Sequence, residues 1–286
     1  MTPTFGTRLA AARGALGPLC VGIDPHPSLL EQWGLADDVD GLRRFALTVV
    51  EAVAGVVPAI KPQSAFFERH GSRGVAVLEE VVAAGRSAGT LVVVDAKRGD
   101  IGSTMGAYAD AYLRDGAPLA GDALTVSPYL GFGSLRPAVE LAAATGRGLF
   151  VLALTSNPEG ASVQHARAAD GRSVAAQVAQ EAARLNAAEL AAGGGSLGSV
   201  GLVVGATIGD AAARLGLDLA AVQGPLLAPG VGAQGAGPAE LAAVFGDARS
   251  AVLASSSRGV LSAGPTVDGL RGAAERARDE AAAALA

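Results

Sequence analysis

The stretch Leu91-Val92-Val93-Val94-Asp95-Ala96-Lys97 places two charged residues at the end of an apolar, β-branched run, and Arg98-Gly99-Asp100-Ile101-Gly102-Ser103-Thr104 follows it. The run predicts a buried β-strand. Side chains two positions apart in a strand point to the same face, so Asp95 and Lys97 are expected to stand side by side. Asp100 lies beyond the predicted strand, where its side chain can face elsewhere.

Similar apolar runs alternate with helical spacing along the chain. The predicted strands cover residues 19–24, 59–63, 91–97, 123–128, 148–156, 200–207, 226–231 and 251–256. The predicted helices cover residues 39–54, 74–88, 105–114, 135–144, 174–192, 210–215, 238–245 and 267–285. Strands that alternate with helices indicate an α/β fold with a parallel sheet, and eight such units in 286 residues favour a (β/α)₈ TIM barrel, a single domain over residues 1–286. A doubly wound open sheet is the alternative, because periodicity does not separate the two.

Composition excludes several classes of protein. Hydrophobic residues make up 50% of the chain, which excludes intrinsic disorder, and the net charge of −5 argues against binding to nucleic acid or an anionic membrane. The one cysteine excludes an internal disulfide and favours a reducing compartment. No clean signal peptide or membrane-spanning segment stands out, so we expect a soluble, cytoplasmic protein.

Lysine is rare in this sequence. Of 22 basic residues, only Lys61 and Lys97 are lysines, and the rest are arginines. Arginine stays protonated in proteins, whereas a lysine ammonium can give up its proton. Both lysines follow predicted strands, where the active site of a barrel forms, so they are candidates for chemistry rather than chance surface residues.

Polar residues gather at the predicted carboxyl ends of the strands. These residues are Asp24, Lys61, Gln63, Asp95, Lys97, Ser127, Thr155, Ser156, Thr207, Ser257 and Arg258. In a barrel all of these ends meet at one mouth. For Asp95 and Lys97 the alternative is a structural ion pair, and for Asp24 it is a turn or helix-capping role.

A glycine-rich turn at residues 229–235 and Arg258 follow the last two predicted strands. These are the usual places for a phosphate site in a barrel, because glycine lets backbone N–H groups approach an anion and arginine binds phosphate with two hydrogen bonds. Ordinary turn glycines are the alternative. His26, His70 and His165 form no metal-ligand pattern, and Cys20 and Trp33 are predicted to be packing residues.

Several of these motifs together resemble one known enzyme family. In chain order they are Gly22-Ile23-Asp24, Lys61-Pro62, Asp95-x-Lys97-x-x-Asp100-Ile101-x-x-Thr104, Pro229-Gly230-x-Gly232-x-Gln234-Gly235 and Arg258. They resemble orotidine 5′-phosphate decarboxylase, and residues 61–68 and 155–160 resemble its longer, type 2 branch. The sequence departs from the pattern of many members at Ser257, where they place glycine.

The resemblance implies a carboxy-lyase of pyrimidine biosynthesis that converts orotidine 5′-monophosphate to uridine 5′-monophosphate and CO₂. It implies no metal, no organic cofactor, and a homodimer with shared active sites. The residues carried over are Lys61, Asp95, Lys97 and Asp100 for a charged array, Thr104 beside Asp100 across the dimer interface, Asp24 for ribose hydroxyls, Ser156 for the pyrimidine, and Gln234, Gly235 and Arg258 for the phosphate. Lys97 is the implied proton donor to C6.

Three other functions stay open on the sequence alone. A sister group of sugar-phosphate decarboxylases and aldol-type enzymes carries a similar Asp-x-Lys motif but uses Mg²⁺, with an acidic ligand where this chain has Lys61. A Schiff-base aldolase would use a barrel lysine to form an imine. A non-catalytic barrel would bind the nucleotide without changing it.

Overall fold

Eight parallel strands close into a barrel in the computed structural model, which describes residues 3–193, 195–231 and 236–286. The strands are β1 (Leu19–Ile23), β2 (Ala59–Pro62), β3 (Leu91–Arg98), β4 (Ala123–Val126), β5 (Gly148–Leu154), β6 (Val200–Val204), β7 (Leu226–Pro229) and β8 (Val252–Ser256). Each strand pairs with the next along the chain, and β8 pairs with β1. The predicted barrel is therefore confirmed, and the open sheet is not formed.

Helices follow the strands and cover the outside of the barrel. They are α1 (Phe5–Leu16), α2 (Pro27–Gln32), α3 (Val39–Val53), α4 (Ser64–Glu68), α5 (Gly71–Ser87), α6 (Gly102–Leu113), α7 (Arg136–Thr145), α8 (Ala161–Gln164), α9 (Val174–Ala191), α10 (Ala211–Arg214), α11 (Pro238–Phe245), α12 (Arg258–Leu261) and α13 (Val267–Leu285). Ser173 and Thr266 cap α9 and α13, because their side chains accept hydrogen bonds from backbone N–H groups in the first turn. Within the described residues, no helix is both long and apolar enough to span a bilayer.

The sequence does not predict α1, α2, α4, α8 or α12. Helix α1 is held by tertiary contacts. The Arg8 guanidinium pairs with Asp122 just before β4, and Arg13 Nε donates to the carbonyl of Val252, 2.9 Å away. These contacts join α1 to distant parts of the chain, so local spacing does not reveal the helix.

Helix α1 closes the amino-terminal end of the barrel with Phe5. The Phe5 ring is fully buried and meets Phe150 edge to face, with 5.9 Å between ring centroids. A Cβ atom on Gly148 would lie only 2.1 Å from the Phe5 ring, so glycine is needed where the Phe5 ring enters the barrel. Cys20 packs in the same interior cluster, as predicted, and burial raises the pKa of its thiol to about 12.

We expect Phe5→Ala to lower the free energy of unfolding by about 3–5 kcal/mol, because it removes a fully buried ring and leaves a cavity at the base of the barrel. Urea unfolding followed by circular dichroism measures the loss. Val163→Ala is the control, since Val163 is 41% exposed and its truncation should change stability by less than about 0.5 kcal/mol. Equal effects of the two substitutions would contradict the proposed role of Phe5 in closing the barrel.

Candidate active site

The carboxyl ends of the strands surround a cavity of about 390 Å³. Its described lining includes most of the residues expected to bind or react, together with others that the motifs did not single out. The lining residues are Asp24, His26, Lys61, Gln63, Asp95, Lys97, Thr125, Leu152, Thr155, Ser156, Asn157, Val203, Gly205, Leu227, Pro229, Gly230, Val231, Ser255, Ser256, Ser257 and Arg258. Charged groups from the residue after β1, from β2 and β3, and from the start of α12 therefore meet in one space.

The Asp95 carboxylate is the centre of the charged groups. Its Oδ2 atom accepts hydrogen bonds from Lys61 Nζ at 2.8 Å and from Gln63 Nε2 at 3.0 Å. Its Oδ1 atom accepts from Lys97 Nζ at 2.6 Å and from Thr125 Oγ1 at 2.9 Å. Each oxygen thus receives one ammonium and one neutral donor, which occupies the lone pairs available on both. The carboxylate has little freedom to rotate or move.

The charges of this cluster hold one another ionised despite burial. The side chains of Asp95 and Lys61 are 8% and 7% exposed. Burial alone would raise the pKa of Asp95, but the charges of Lys61 and Lys97 outweigh it, and the pKa lies well below the ordinary value. For Lys61, burial would lower the pKa, but the carboxylates of Asp95 and Asp24 raise it above the ordinary value. The Lys97 side chain is 44% exposed and reaches the cavity.

The backbone conformation that brings Lys97 to Asp95 differs from the regular strand that the sequence predicts. Regular alternation predicted that the two side chains share a face, and they do meet. However, Lys97 has a φ of +49°, in the left-handed region that non-glycine residues rarely adopt. Between Val94 and Arg98 the register of β3 against β4 also shifts. A bulge, and not a regular strand, therefore presents the ammonium.

Asp24 stands across Lys61 from Asp95. Its Oδ1 atom lies 4.0 Å from Lys61 Nζ, and this buried oxygen has no hydrogen-bond partner in the described chain. A buried acceptor without a donor is costly unless a ligand supplies one. Asp24 also lines the cavity, so a hydroxyl group bound there could donate to it.

Ser156, Ser257 and Arg258 line the cavity as well. A Cβ atom on Gly22 would lie 2.0 Å from Ser257 Oγ, so the hydroxymethyl group of Ser257 occupies space that Gly22 leaves open. The residue that departs from the family pattern is thus accommodated by a glycine on the neighbouring strand β1.

Two expected residues do not line the described cavity of their own chain, and two lie outside the described part of the chain. Asp100 Oδ1 accepts a hydrogen bond from the backbone N–H of Ile101 at 2.7 Å, and Thr104 is exposed on α6. Neither is among the described lining residues. Gln234 and Gly235 fall outside the residues that the structure describes.

Comparison with known proteins identifies the family. The model for "Orotidine 5'-phosphate decarboxylase / HUMPS family" matches residues 17–272. The chain belongs to this family. Orotidine 5′-phosphate decarboxylases of Salinispora tropica and Streptomyces coelicolor are 63% and 62% identical to it, over 99% and 95% of this chain and 98% and 95% of theirs. The expectation of an enzyme of the carboxy-lyase class is thereby confirmed.

Solved structures agree with the fold. A crystal structure from Streptomyces avermitilis ma-4680 is 62% identical, with a TM-score of 0.93, and the match covers 99% of this chain and 96% of that one. The OMP decarboxylase of Leishmania donovani is 32% identical, with a TM-score of 0.73 and coverage of 97% of both chains. The family barrel is therefore retained along nearly the whole chain.

From the sequence, Gln63 is expected at the mouth of the barrel but has no assigned role, and Thr125 and His26 are not assigned to the site, although all three line the cavity. Gln63 was visible as a polar residue at a strand end. Thr125 lies within the buried strand β4, where its hydroxyl is the polar exception among Ala123, Leu124 and Val126. That exception was the available signal, because a buried hydroxyl needs a partner.

We expect Asp95→Asn to destabilise the protein by about 3–5 kcal/mol near neutral pH, since it leaves the buried Lys61 ammonium without its closest counter-charge. The depressed pKa of Asp95 adds stability above the unfolded value of about 3.9, and this is lost as the pH falls through the folded value. The gap between wild type and variant should therefore stay constant above about pH 5 and narrow below it, by about 1 kcal/mol at pH 3.

Urea unfolding at each pH measures that gap. Asp210→Asn is the matched control, because it neutralises the acid of the exposed pair with Arg214 and should cost almost nothing at any pH. A gap for Asp95→Asn that stays constant down to about pH 3 would contradict the ionised buried cluster.

Proposed function

We propose that the chain decarboxylates orotidine 5′-monophosphate to uridine 5′-monophosphate and CO₂, without a metal or an organic cofactor. The observation that carries the proposal is the Asp95 carboxylate held between the ammonium groups of Lys61 and Lys97, at 2.8 and 2.6 Å, beside an open cavity. Loss of CO₂ leaves an electron pair on C6 of the pyrimidine. Such a carbanion requires positive charge and a proton at one carbon, and Lys97 offers both.

Lys97 is the proposed proton donor. Both lysines line the cavity, but the Lys97 side chain is 44% exposed, whereas that of Lys61 is 7% exposed. The bond between C6 and the carboxyl carbon breaks, its electron pair stays on C6, and C6 takes a proton from Lys97 Nζ. The neutral amine then regains a proton from water. Lys61 keeps Asp95 ionised, and Asp95 in turn holds the Lys97 ammonium in place.

The charges of the cluster favour the product side of the reaction. A substrate carboxylate about 4 Å from Asp95 would be repelled by about 4 kcal/mol at an effective dielectric constant of about 20. The two ammonium groups lie closer than that to Asp95 and offset much of this repulsion. The larger contribution should therefore come from ammonium groups already fixed where negative charge develops, because they need no reorganisation during the reaction.

The rest of the nucleotide has partners around the same cavity. Asp24 Oδ1, which is buried without a donor, suits a ribose hydroxyl. Ser156 would contact the pyrimidine, and Arg258 would bind the phosphate, together with Gln234 and Gly235 of the family motif. Binding a remote phosphate supplies energy that helps to position the reacting carbon.

The position of Lys61 supports chemistry without a metal. Its ammonium lies 2.8 Å from Asp95 Oδ2 and 4.0 Å from Asp24 Oδ1, so it fills the place where a divalent cation would need these carboxylate oxygens. The Mg²⁺-dependent alternative requires an acidic residue where this chain has Lys61.

A homodimer with shared sites is part of the proposal. The Asp100 and Thr104 side chains do not line the cavity of their own chain within the described residues. Ile101, which follows Asp100, is 62% exposed, and Tyr129 and Leu130, which follow the neighbouring strand β4, are 76% and 53% exposed. Exposed large apolar side chains at this end of the barrel favour a protein contact. The partner subunit's Asp100 and the partner subunit's Thr104 would then complete each cavity.

The test of the activity is a spectrophotometric assay of orotidine 5′-monophosphate in the presence of EDTA. We expect the absorbance of the orotidine nucleotide to fall with time at a rate that the chelator does not change. Binding of uridine 5′-monophosphate without any loss of absorbance would identify a non-catalytic barrel, and a rate abolished by EDTA and restored by Mg²⁺ would favour the metal-dependent alternative.

Lys97→Arg is the control for the proton donor in that assay. Arginine keeps the positive charge but does not readily release a proton, so kcat should fall by about 10²- to 10⁴-fold while nucleotide binding persists. A variant with near-normal kcat would overturn the role of Lys97.

The shared site predicts complementation between inactive variants. Asp100→Ala and Lys97→Ala should each be inactive alone, because each removes one group from every site. After mixing and refolding, about half of the dimers contain one chain of each kind, and each mixed dimer has one intact site. We expect recovery of up to about a quarter of the wild-type activity. Mixed dimers shown by native mass spectrometry to have formed, yet inactive, would rule out the shared site.

A further inference from the structure

Thr125 links the backbone of Lys97 to the Asp95 carboxylate, which also binds the Lys97 ammonium. Its Oγ1 atom accepts a hydrogen bond from the Lys97 backbone N–H at 2.9 Å and donates one to Asp95 Oδ1, also at 2.9 Å. The same Oδ1 atom accepts from Lys97 Nζ at 2.6 Å. The backbone of Lys97, the hydroxyl, the carboxylate and the ammonium thus form a closed ring of contacts.

Thr125 also lies opposite the bulge in β3. Val94 pairs with Leu124 and Arg98 pairs with Val126, so β3 takes four steps where β4 takes two. A bulge leaves backbone groups without their usual ladder partners. The Lys97 N–H is one such group, and it bonds to a side-chain hydroxyl of β4 instead of a backbone carbonyl.

The left-handed backbone of Lys97 needs this kind of support. A non-glycine residue with a φ of +49° is strained, and such conformations persist only where the surroundings enforce them. On the far side of the bulge, Ser127 N–H bonds to the Arg98 carbonyl at 2.8 Å. Within the bulge, the hydrogen bond from the Lys97 N–H to Thr125 Oγ1 restrains the strained residue itself.

We propose that Thr125 is a positioning residue that keeps the Lys97 ammonium aimed at the reacting carbon, an inference that rests on the proposed decarboxylation. Thr125 does not itself transfer a proton or bind the nucleotide in this proposal. Without its hydroxyl, the Lys97 N–H loses its acceptor and Asp95 Oδ1 loses a donor. The lysine backbone is then free to relax toward an ordinary strand, which moves the ammonium.

Two substitutions of opposite character test the proposal. Thr125→Val keeps the shape of the side chain but removes the hydroxyl, whereas Thr125→Ser keeps the hydroxyl but removes a methyl group. Thr125 is 1% exposed, so a role in packing would make the serine variant the worse of the two. A role in positioning predicts the reverse order.

We expect Thr125→Val to lower kcat by about 100-fold, the scale of loss when a reacting group is displaced by about 1 Å, with little change in KM. Thr125→Ser should retain kcat within a few-fold of wild type. Thr90→Val is the matched control, because Thr90 is also buried but precedes β3 at the opposite end of the barrel, and its kcat should be unchanged. A valine variant with near-normal kcat, or a serine variant as impaired as the valine one, would overturn the proposal.

Hydrogen exchange of the Lys97 amide, followed by nuclear magnetic resonance, supplies a measurement that does not depend on the reaction. The amide should exchange faster in Thr125→Val than in wild type, and at nearly the wild-type rate in Thr125→Ser. If the wild-type protein fails to decarboxylate the nucleotide, the proposed function is wrong, and the exchange rates alone decide whether Thr125 holds Lys97. Equal exchange in all three proteins would show that it does not.

Discussion

A buried carboxylate that accepts four hydrogen bonds is the constraint on which the site depends. Asp95 receives Lys61 and Gln63 on one oxygen and Lys97 and Thr125 on the other. Removing charges from water is expensive, and a buried ion pair is tolerated only when its geometry is good and its remaining lone pairs are satisfied. Here β2, β3 and β4 lie side by side, and each contributes to the same carboxylate. The closed barrel therefore does more than bring the residues close, because it fixes the angle from which each donor approaches.

The same constraint explains why the backbone is irregular at this point. A regular strand would pair Lys97 with the backbone of β4 and leave its side chain in the ordinary alternation. Instead, the register shift and the positive φ of Lys97 turn the ammonium toward both Asp95 and the cavity. Strain of this kind costs about 1–3 kcal/mol, and it persists at functional sites because the surrounding contacts over-determine it. The stability lost at the bulge is offset in part by the ion pair of Lys97 with Asp95, which the bulge allows.

The fold could be predicted from the sequence wherever the signals were local. Pro238 at the start of α11 and the Thr266 cap of α13 mark those helices, and both were predicted with the bounds that the structure has. Helix α1 could not be predicted in this way, because Phe5 and Arg8 contact residues that lie far along the chain. At the site, Lys61, Asp95 and Lys97 were predicted to meet because strand ends converge in a barrel. The four hydrogen bonds to Asp95 could not be predicted, because a hydroxyl inside an apolar strand does not indicate which distant carboxylate it contacts.

The packed interior near the amino-terminal ends of the strands supports the charged site at their carboxyl ends. Phe5 and Phe150 fill the interior near the amino-terminal end, and Cys20 and Val93 continue this packing toward the polar cluster. Close-packed side chains of this kind transmit displacement and do not absorb it. Asp95 follows Val93 and Val94 on a strand whose lower half is fixed between buried neighbours, so the carboxylate has no room to sink away from its donors. A set of charges that must be in place before the reaction begins is therefore best built on a filled barrel, where the packing beneath the site opposes the repulsion and strain within it.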